Sequence, residues 1–262
     1  MSTIYAQNGN ATHSQQPTDA HVNDAQHRTH KILAVLGHEM RNPLSALSNA
    51  LQLWPNAIHD PALMEELHGI ILRQVQQLTS LSDDLLDVVR ITEGKFELHL
   101  KQVDLQELIG HACEEVRPFV DRCGHTLQVD MPQKPTVLYG DSSRLLQVFS
   151  NLIQNAAKFT DQGGLLNVTV GSHGNAAIVR VRDNGRGLEA RVLETIFEPF
   201  AQIDIANGAT NCGLGLGLPL VKTIVERHGG DVSAHSAGLG LGSEFTVRLP
   251  LFNRNARVDS FP

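Results

Sequence analysis

The sequence has 262 residues, enough for one large or two ordinary domains. It carries 21 basic and 28 acidic residues, a formal net charge of −7, and no basic run, which argues against nucleic acid as a partner. No apolar run approaches the roughly 20 residues a membrane helix needs, and no basic-then-apolar leader opens the chain, so no direct membrane insertion is expected. The three cysteines, Cys113, Cys123 and Cys212, lack metal-ligand spacing, a sparse odd count that suits a reducing cytoplasm.

Residues 1–27 are polar and show no period, which reads as a tail without fixed structure. His13, His21, His27 and His30 could be gathered as metal ligands, but no ligand spacing recurs among them, and a solvated tail is the simpler reading. Leu33, Leu36, Met40, Leu44, Leu47 and Leu51 then recur at spacings of three and four, the mark of an amphipathic helix with a narrow seam. Pro43 should bend this helix, and Trp54-Pro55 should end it. A second helical run, from Leu63 through Leu67, Ile70, Ile71, Val75, Leu78, Leu81, Leu85 and Val88, should stop near Thr92-Glu93-Gly94. Two long helices with a short connection form an antiparallel hairpin whose apolar face needs cover. A second copy would supply it, giving a homodimeric four-helix bundle. The alternative is that residues 103–250 cover the face in the same chain.

The remainder alternates strands and helices. Phe96–Leu100 is expected as a strand, Leu105–Val120 as a helix, and Leu127–Val129 and Val137–Tyr139 as short strands. Asp141 should cap a helix reaching about Phe159. Leu166–Val170 and Ala177–Arg182 read as a hairpin through Ser172-His173-Gly174-Asn175. A helix over about Leu216–Arg227 closes at Gly229-Gly230, and Phe245–Leu249 is a last strand. The expected architecture is an α+β two-layer sandwich, with helices on one face of a mixed, mainly antiparallel sheet.

Four stretches carry chemistry. Asn151, Asn155 and Lys158 fall at i, i+4 and i+7, on one helix face. Carboxamide oxygens suit Mg²⁺, and a lysine suits phosphate, although each residue alone could be an ordinary exposed position. Asp183-Asn184-Gly185-Arg186-Gly187 follows a strand; its aspartate could accept from an exocyclic amine, or the stretch could be a plain turn. Gly213-Leu-Gly215-Leu-Gly217-Leu218 opens a helix, where backbone N–H groups bind phosphate. A dinucleotide fingerprint is a competing reading, but no βαβ context or later acidic residue supports it. Finally, His38-Glu39-Met40-Arg41-Asn42-Pro43 sets a histidine between two seam residues, where it should face solvent with a carboxylate beside it. Taken alone, it is one surface histidine among 13 in the chain.

In order and spacing these stretches resemble the transmitter region of sensor histidine kinases, the class whose first helix carries His-Glu-x-x-Asn-Pro. The resemblance spans about residues 28–250 and also takes in Ile196-Phe197-Glu198-Pro199-Phe200 and Gly240-Leu241-Gly242-Ser243-Glu244-Phe245. It implies a dimerisation and histidine phosphotransfer domain over residues 28–95, then a catalytic ATP-binding domain over 96–250 with the fold of DNA gyrase, Hsp90 and MutL. Residues 251–262 are a tail. It implies that His38 is phosphorylated from ATP, with Glu39 taking its proton. Asn42 matches the position that helps water remove phosphate from a bound response regulator. Asn155 matches the Mg²⁺-holding asparagine, with Asn151 and Lys158 near the phosphates. Phe159 matches the aromatic residue against adenine, and Asp183 the adenine-reading aspartate. Gly185 and Gly187 shape that pocket, and residues 201–212 match the nucleotide lid. Gly213, Gly215 and Gly217, with Leu218, match the lid hinge and phosphate-binding end. A cytoplasmic homodimer passing phosphate to a response regulator aspartate follows, under an upstream sensor or partner the sequence does not name.

The chain departs from that pattern in its lid, where residues 201–212 hold no Lys or Arg and Leu214 replaces a frequent small hydroxyl residue. This bears on catalytic rate more than on nucleotide binding. Two alternatives stay open: a weakly active phosphotransfer or scaffold module, and an ATPase of the same fold without histidine transfer.

Overall fold

The computed structural model describes residues 18–199 and 215–252, with side chains from Leu36 onward. The chain divides into two compact units, Met1–Gln74 and Val75–Pro262. No described helix is long and apolar enough to cross a membrane.

The first unit holds helix α1 (Thr18–Ala57) and the first half of helix α2 (Pro61–Thr92). Helix α1 begins inside the stretch read as a tail. Residues 18–27 contain neither glycine nor proline, so a helix nucleated downstream extends through them at little cost. It also continues through Pro43 and past Pro55, where an end was expected. The stop comes at Ala57, whose carbonyl accepts from Asp60 N–H at 2.9 Å. The Asp60 carboxylate then caps α2, accepting from Ala62 N–H at 3.1 Å and Leu63 N–H at 3.2 Å, with Pro61 in the first helical position.

Burial splits the apolar residues of α1 into two stripes. Pro43, Ala50 and Ala57, seven residues apart, are buried, and Ala50 and Ala57 form a small core with Leu67 of α2. Short side chains at this repeat let two helices approach closely. The expected leucine seam lies beside them and is uncovered in the single chain: Met40, Leu44 and Leu51 are exposed.

The second unit contains a five-stranded sheet ordered β2-β4-β5-β7-β6. Its strands are β2 (Thr126–Asp130), β4 (Leu165–His173), β5 (Ala176–Asp183), β6 (Asp231–His235) and β7 (Glu244–Pro250). β2 runs parallel to β4, and every other pair is antiparallel. β1 (Lys101–Asp104) and β3 (Val137–Gly140) make a separate antiparallel pair. Helices α3 (Leu105–Arg122), α4 (Ser142–Lys158) and α6 (Gly217–Arg227) pack on the sheet, and α5 (Ala190–Thr195) is a short connecting turn. The β4–β5 hairpin turns through Gly174-Asn175, with Gly174 at φ 61°.

Two expectations fail here. Phe96–Leu100 is extended but pairs with no strand. Phe96 is buried, and the His99 N–H donates to the Asp141 carboxylate at 2.9 Å, so side-chain anchors replace a ladder. The C-terminal stretch is also not a tail from residue 251. Leu251 bridges to Leu138, and the Phe252 N–H donates to the Val137 carbonyl at 3.0 Å. Strand β6 was missed, because its alternation of half-buried and exposed residues is that of a short edge strand.

Helix α4 faces the core with Leu145, Val148, Phe149, Leu152, Ile153, Ala156 and Ala157. Asp141 caps it as expected, accepting from Ser143 N–H and Arg144 N–H. Burial alone would raise the Asp141 carboxyl, but hydrogen bonds from Ser143, His99 and Arg144 hold it below the ordinary value. A buried neutral histidine braces each end. His228 Nε2 accepts the Asp141 N–H at 2.9 Å, so its Nδ1 carries the proton and donates to the Ile224 carbonyl at 2.7 Å. His125 Nδ1 accepts the Gly164 N–H at 3.1 Å, and its Nε2 donates to the Ala157 carbonyl at 2.9 Å.

Burial holds His228 below the usual histidine value, against the opposing pull of its Ile224 hydrogen bond and the Asp141 charge. The unfolded chain therefore takes up this proton first on acidification, and the stabilisation is present above the unfolded value and lost as pH falls toward the folded one. Thermal unfolding of the wild type and His228→Gln should give a stability gap that narrows as pH drops from about 7.5 to about 5.5.

Candidate functional site

The residues singled out in the second unit converge on one side of α4. Asn151 and Asn155 sit on its half-buried face, away from the sheet-facing leucines. The Nδ2 of Asn151 is buried and has no hydrogen-bond partner among the described residues. An unpaired buried amide donor is costly, by about 1–3 kcal/mol, unless an acceptor arrives from outside. Gly217, the first residue of α6, lies beside it: a Cβ there would stand 3.8 Å from the Asn151 carboxamide. Gly215, two residues earlier, takes φ 66°, a conformation open to glycine. Leu218 follows on α6 and is half-buried. Gly213 and residues 201–212, expected as a lid, lie outside the described residues.

The C-terminal end of α4 carries Lys158 and Phe159. The Lys158 ammonium sits over the Phe159 ring, 5.5 Å from its centroid. Phe159 ends the helix, its N–H donating to the Asn155 carbonyl at 3.0 Å, and its own carbonyl accepts from Arg186 N–H at 3.0 Å. That bond brings in the turn after β5. A Cβ on Gly185 would run into the Phe159 carbonyl and Thr160, and one on Gly187 into the Gly238 carbonyl. These two positions therefore admit only glycine without movement of backbone.

Asp183 closes β5 and is buried. Its Oδ1 accepts from Gly185 N–H at 2.8 Å and Ser243 N–H at 3.2 Å, while its Oδ2 accepts from Ser243 Oγ at 2.5 Å. The carboxylate is thus locked in one orientation. Ser243 takes its role from this contact and not from its place in the Gly240–Phe245 stretch. The signal was a hydroxyl after Gly242, whose φ of 72° tucks the loop against the Asp183 backbone. Asn184 was likewise passed over: its Oδ1 accepts from Leu165 N–H at 2.8 Å and ties the turn to β4.

In the first unit His38 is exposed on α1, and Asn42 is exposed one turn later. Glu39 is buried, so it leaves the helix on another side, and no hydrogen bond joins it to His38 among the described residues.

Residues 140–253 match the family described as histidine kinase-, DNA gyrase B-, and HSP90-like ATPase, which defines the sheet domain as an ATP-binding one. Residues 29–94 match the His Kinase A (phospho-acceptor) domain. With both in this order, the chain belongs to the histidine kinases, as a transmitter region. It is 32% identical over 225 residues to the sensor histidine kinase RppB of Synechocystis, covering 85% of this chain and 49% of RppB. The structure of the Acinetobacter baumannii histidine kinase AdeS shares the fold, with a TM-score of 0.60 at 24% identity over 82% of this chain and 98% of that one. Full-length ShkA, solved in complex with AMPPNP, gives a TM-score of 0.62 at 25% identity over 87% of this chain and 47% of that one. The chain spans about half the length of curated relatives such as RppB, and less of some.

The glycine geometry yields a matched pair of substitutions. Gly185→Ala should weaken ATP binding at least about tenfold, read by calorimetric titration, because the new Cβ displaces the backbone around Phe159. Gly110→Ala, in α3 with open space around it, should leave affinity unchanged and stabilise the fold by about 0.5–1 kcal/mol.

Proposed function

We propose that this chain uses ATP and Mg²⁺ to phosphorylate its own His38 and passes the phosphoryl group to an aspartate of a response regulator in the cytoplasm. The observation that carries the nucleotide half is the unpartnered buried Nδ2 of Asn151 beside the start of α6, a donor in want of a phosphate oxygen. The donor set fits the metal as well: the Asn155 carboxamide oxygen, one helical turn on, is of the hard type Mg²⁺ takes, and the metal when bound offsets phosphate charge. Lys158 adds a positive charge at the same helix end, and Phe159 offers its ring to the base. Asp183, oriented by Ser243 and Gly185, accepts from the exocyclic amine of adenine. Gly185 and Gly187 let the backbone close around the ring, while Gly213, Gly215, Gly217 and Leu218 form the phosphate-binding end.

In the transfer step an imidazole nitrogen of His38 bonds to the γ-phosphorus, the bond from that phosphorus to the bridging oxygen breaks, and ADP leaves. Glu39 receives the ring proton after a change of side-chain rotamer, since the two are not bonded here. Asn42, exposed on the same helix, is the residue for regulator dephosphorylation. Incubation with γ-labelled ATP should give acid-labile label that His38→Gln abolishes and Asn155→Ala lowers at least about a hundredfold. Absence of label in the wild type would favour a phosphotransfer scaffold instead, and phosphate release untouched by His38→Gln would favour a plain ATPase.

The uncovered seam supports a homodimer. Met40, Leu44, Leu51 and Leu72 expose apolar side chains on the hairpin, and a second copy packing against them makes a four-helix bundle. Leu44→Glu with Leu51→Glu should halve the mass seen by sedimentation, with the sheet domain still folded by its thermal transition.

A further inference from the structure

Residues 93–100 are fastened at several points. The Arg144 guanidinium, on the first turn of α4, pairs with the buried Asp87 carboxylate of α2 at 2.5 Å. The same group stacks on the Phe96 ring, 4.9 Å from its centroid, and donates to Gln147 Oε1 at 3.0 Å. Arg227, at the end of α6, donates to the Phe96 carbonyl at 2.9 Å and lies 5.9 Å from the same ring. The His99 N–H is held by Asp141, the N-cap of α4. Ile91 and Leu98, on either side of Phe96, pack on the core of the sheet domain.

We propose that Arg144 and Phe96 are positioning residues, which fuse the end of α2, the 93–100 connection and helix α4 into one element. The nucleotide-facing side of α4 is then carried by α2 itself. Two further observations agree. The phospho-acceptor domain match ends at residue 94, yet the compact unit holding the sheet begins at Val75, inside α2. A groove of about 600 Å³ also runs between α2 and α4, with Asp83, Asp84 and Asp87 on one side and Arg144, Gln147 and Asn151 on the other. Burial first, then Asp87 and Asp83, push the Asp84 carboxyl up to about 6, with a hydrogen bond from Gln147 opposing. Arg144 is thus the close cation at this crowded acidic end of α2. Removing it leaves the buried Asp87 with the neutral Gln147 Nε2 at 3.1 Å and the largely exposed Arg90 at 3.9 Å, and α2 has reason to lift from α4.

The role of α4 in nucleotide binding rests on the function proposed above; the rigidity of the connection does not. Hydrogen exchange on the whole chain without nucleotide separates the two. The hydrogen-bonded amides of this connection, Gly94, Lys95 and His99, should exchange slowly in the wild type and at least about tenfold faster in Arg144→Gln and Phe96→Ala. In labelling assays Arg144→Gln should lower kcat at least about fivefold while KM for ATP stays within about twofold, and Arg144→Lys, which keeps the charge, should recover part of the rate. Should Arg144→Gln fail to fold, Asp87→Asn keeps the guanidinium in place and should give the same faster exchange. Equal exchange of the Gly94, Lys95 and His99 amides in wild type and variants overturns the proposal, as does a rise in KM that matches the fall in kcat. If the wild type takes no label, the kinase reading fails and the exchange result still decides the clamp.

Discussion

The second unit depends on how α4 is held, because this helix must serve two environments at once. One side packs seven apolar residues against the core, and the other presents two carboxamides and a lysine. A polar face of that kind does not fix itself by burial, so its orientation has to come from the helix ends. At the start, Asp141 caps the helix, takes the N–H of His99 and is itself held by His228. At the finish, His125 takes up the Ala157 carbonyl, and Thr160 Oγ donates to the Ala156 carbonyl at 2.7 Å. Both histidines use one ring nitrogen as donor and the other as acceptor, which rotates the helix to one setting and requires the neutral ring. The Asn151 amide, unpaired among the described residues, is then fixed in direction by the helix that carries it. Such preorganisation removes an ordering cost from binding.

The setting of Asp183 follows the same logic with backbone in place of side chains. The loop of residues 236–243 reaches across to the turn after β5, with Gly240 N–H donating to the Arg186 carbonyl at 2.7 Å and Gly242 N–H to the Gly185 carbonyl at 3.0 Å. Ser236 Oγ donates to the Gly242 carbonyl at 2.7 Å and accepts from Leu188 N–H at 3.0 Å. Glycines at 185, 187 and 242 are needed because two backbones meet there with no room for a Cβ. The result is an aspartate whose carboxylate cannot turn, set in a wall made of peptide groups.

Much of this was legible before the structure. Asp141 as a cap and a helix from there to about Phe159 are local patterns that formed where the residues placed them, and the turn expected over Ser172–Asn175 tightened to Gly174-Asn175. Order and spacing of motifs also located the ATP-binding domain, because glycines and polar residues must recur at fixed offsets to meet one ligand. What escaped was whatever depends on contacts distant in sequence. Phe96–Leu100 alternates like a strand, but its partners are Arg144, Arg227 and Asp141, found only by folding. Ser243 gains meaning from Asp183, sixty residues earlier. The extra helix at residues 18–27 escaped for another reason: polar residues without glycine or proline allow a helix without announcing one.

The two units also differ in how far each can stand alone. The second closes its own core, with large side chains such as Phe149, Leu152 and Ile153 fully buried. The first buries mainly Ala50, Ala57 and Leu67, and two of these are alanines. Alanine burial removes little apolar area from water, and at about 25 cal/mol per Å² it cannot offset the ordering of two long helices. The small residues have a different use: they bring α1 and α2 close and turn the leucine stripe outward, where only another apolar surface can cover it. In the homodimer proposed above, the stability of the hairpin is therefore tied to association. Under that reading the first unit becomes firm only when paired, while the second closes its core by itself, and assembly is a step at which activity can be set.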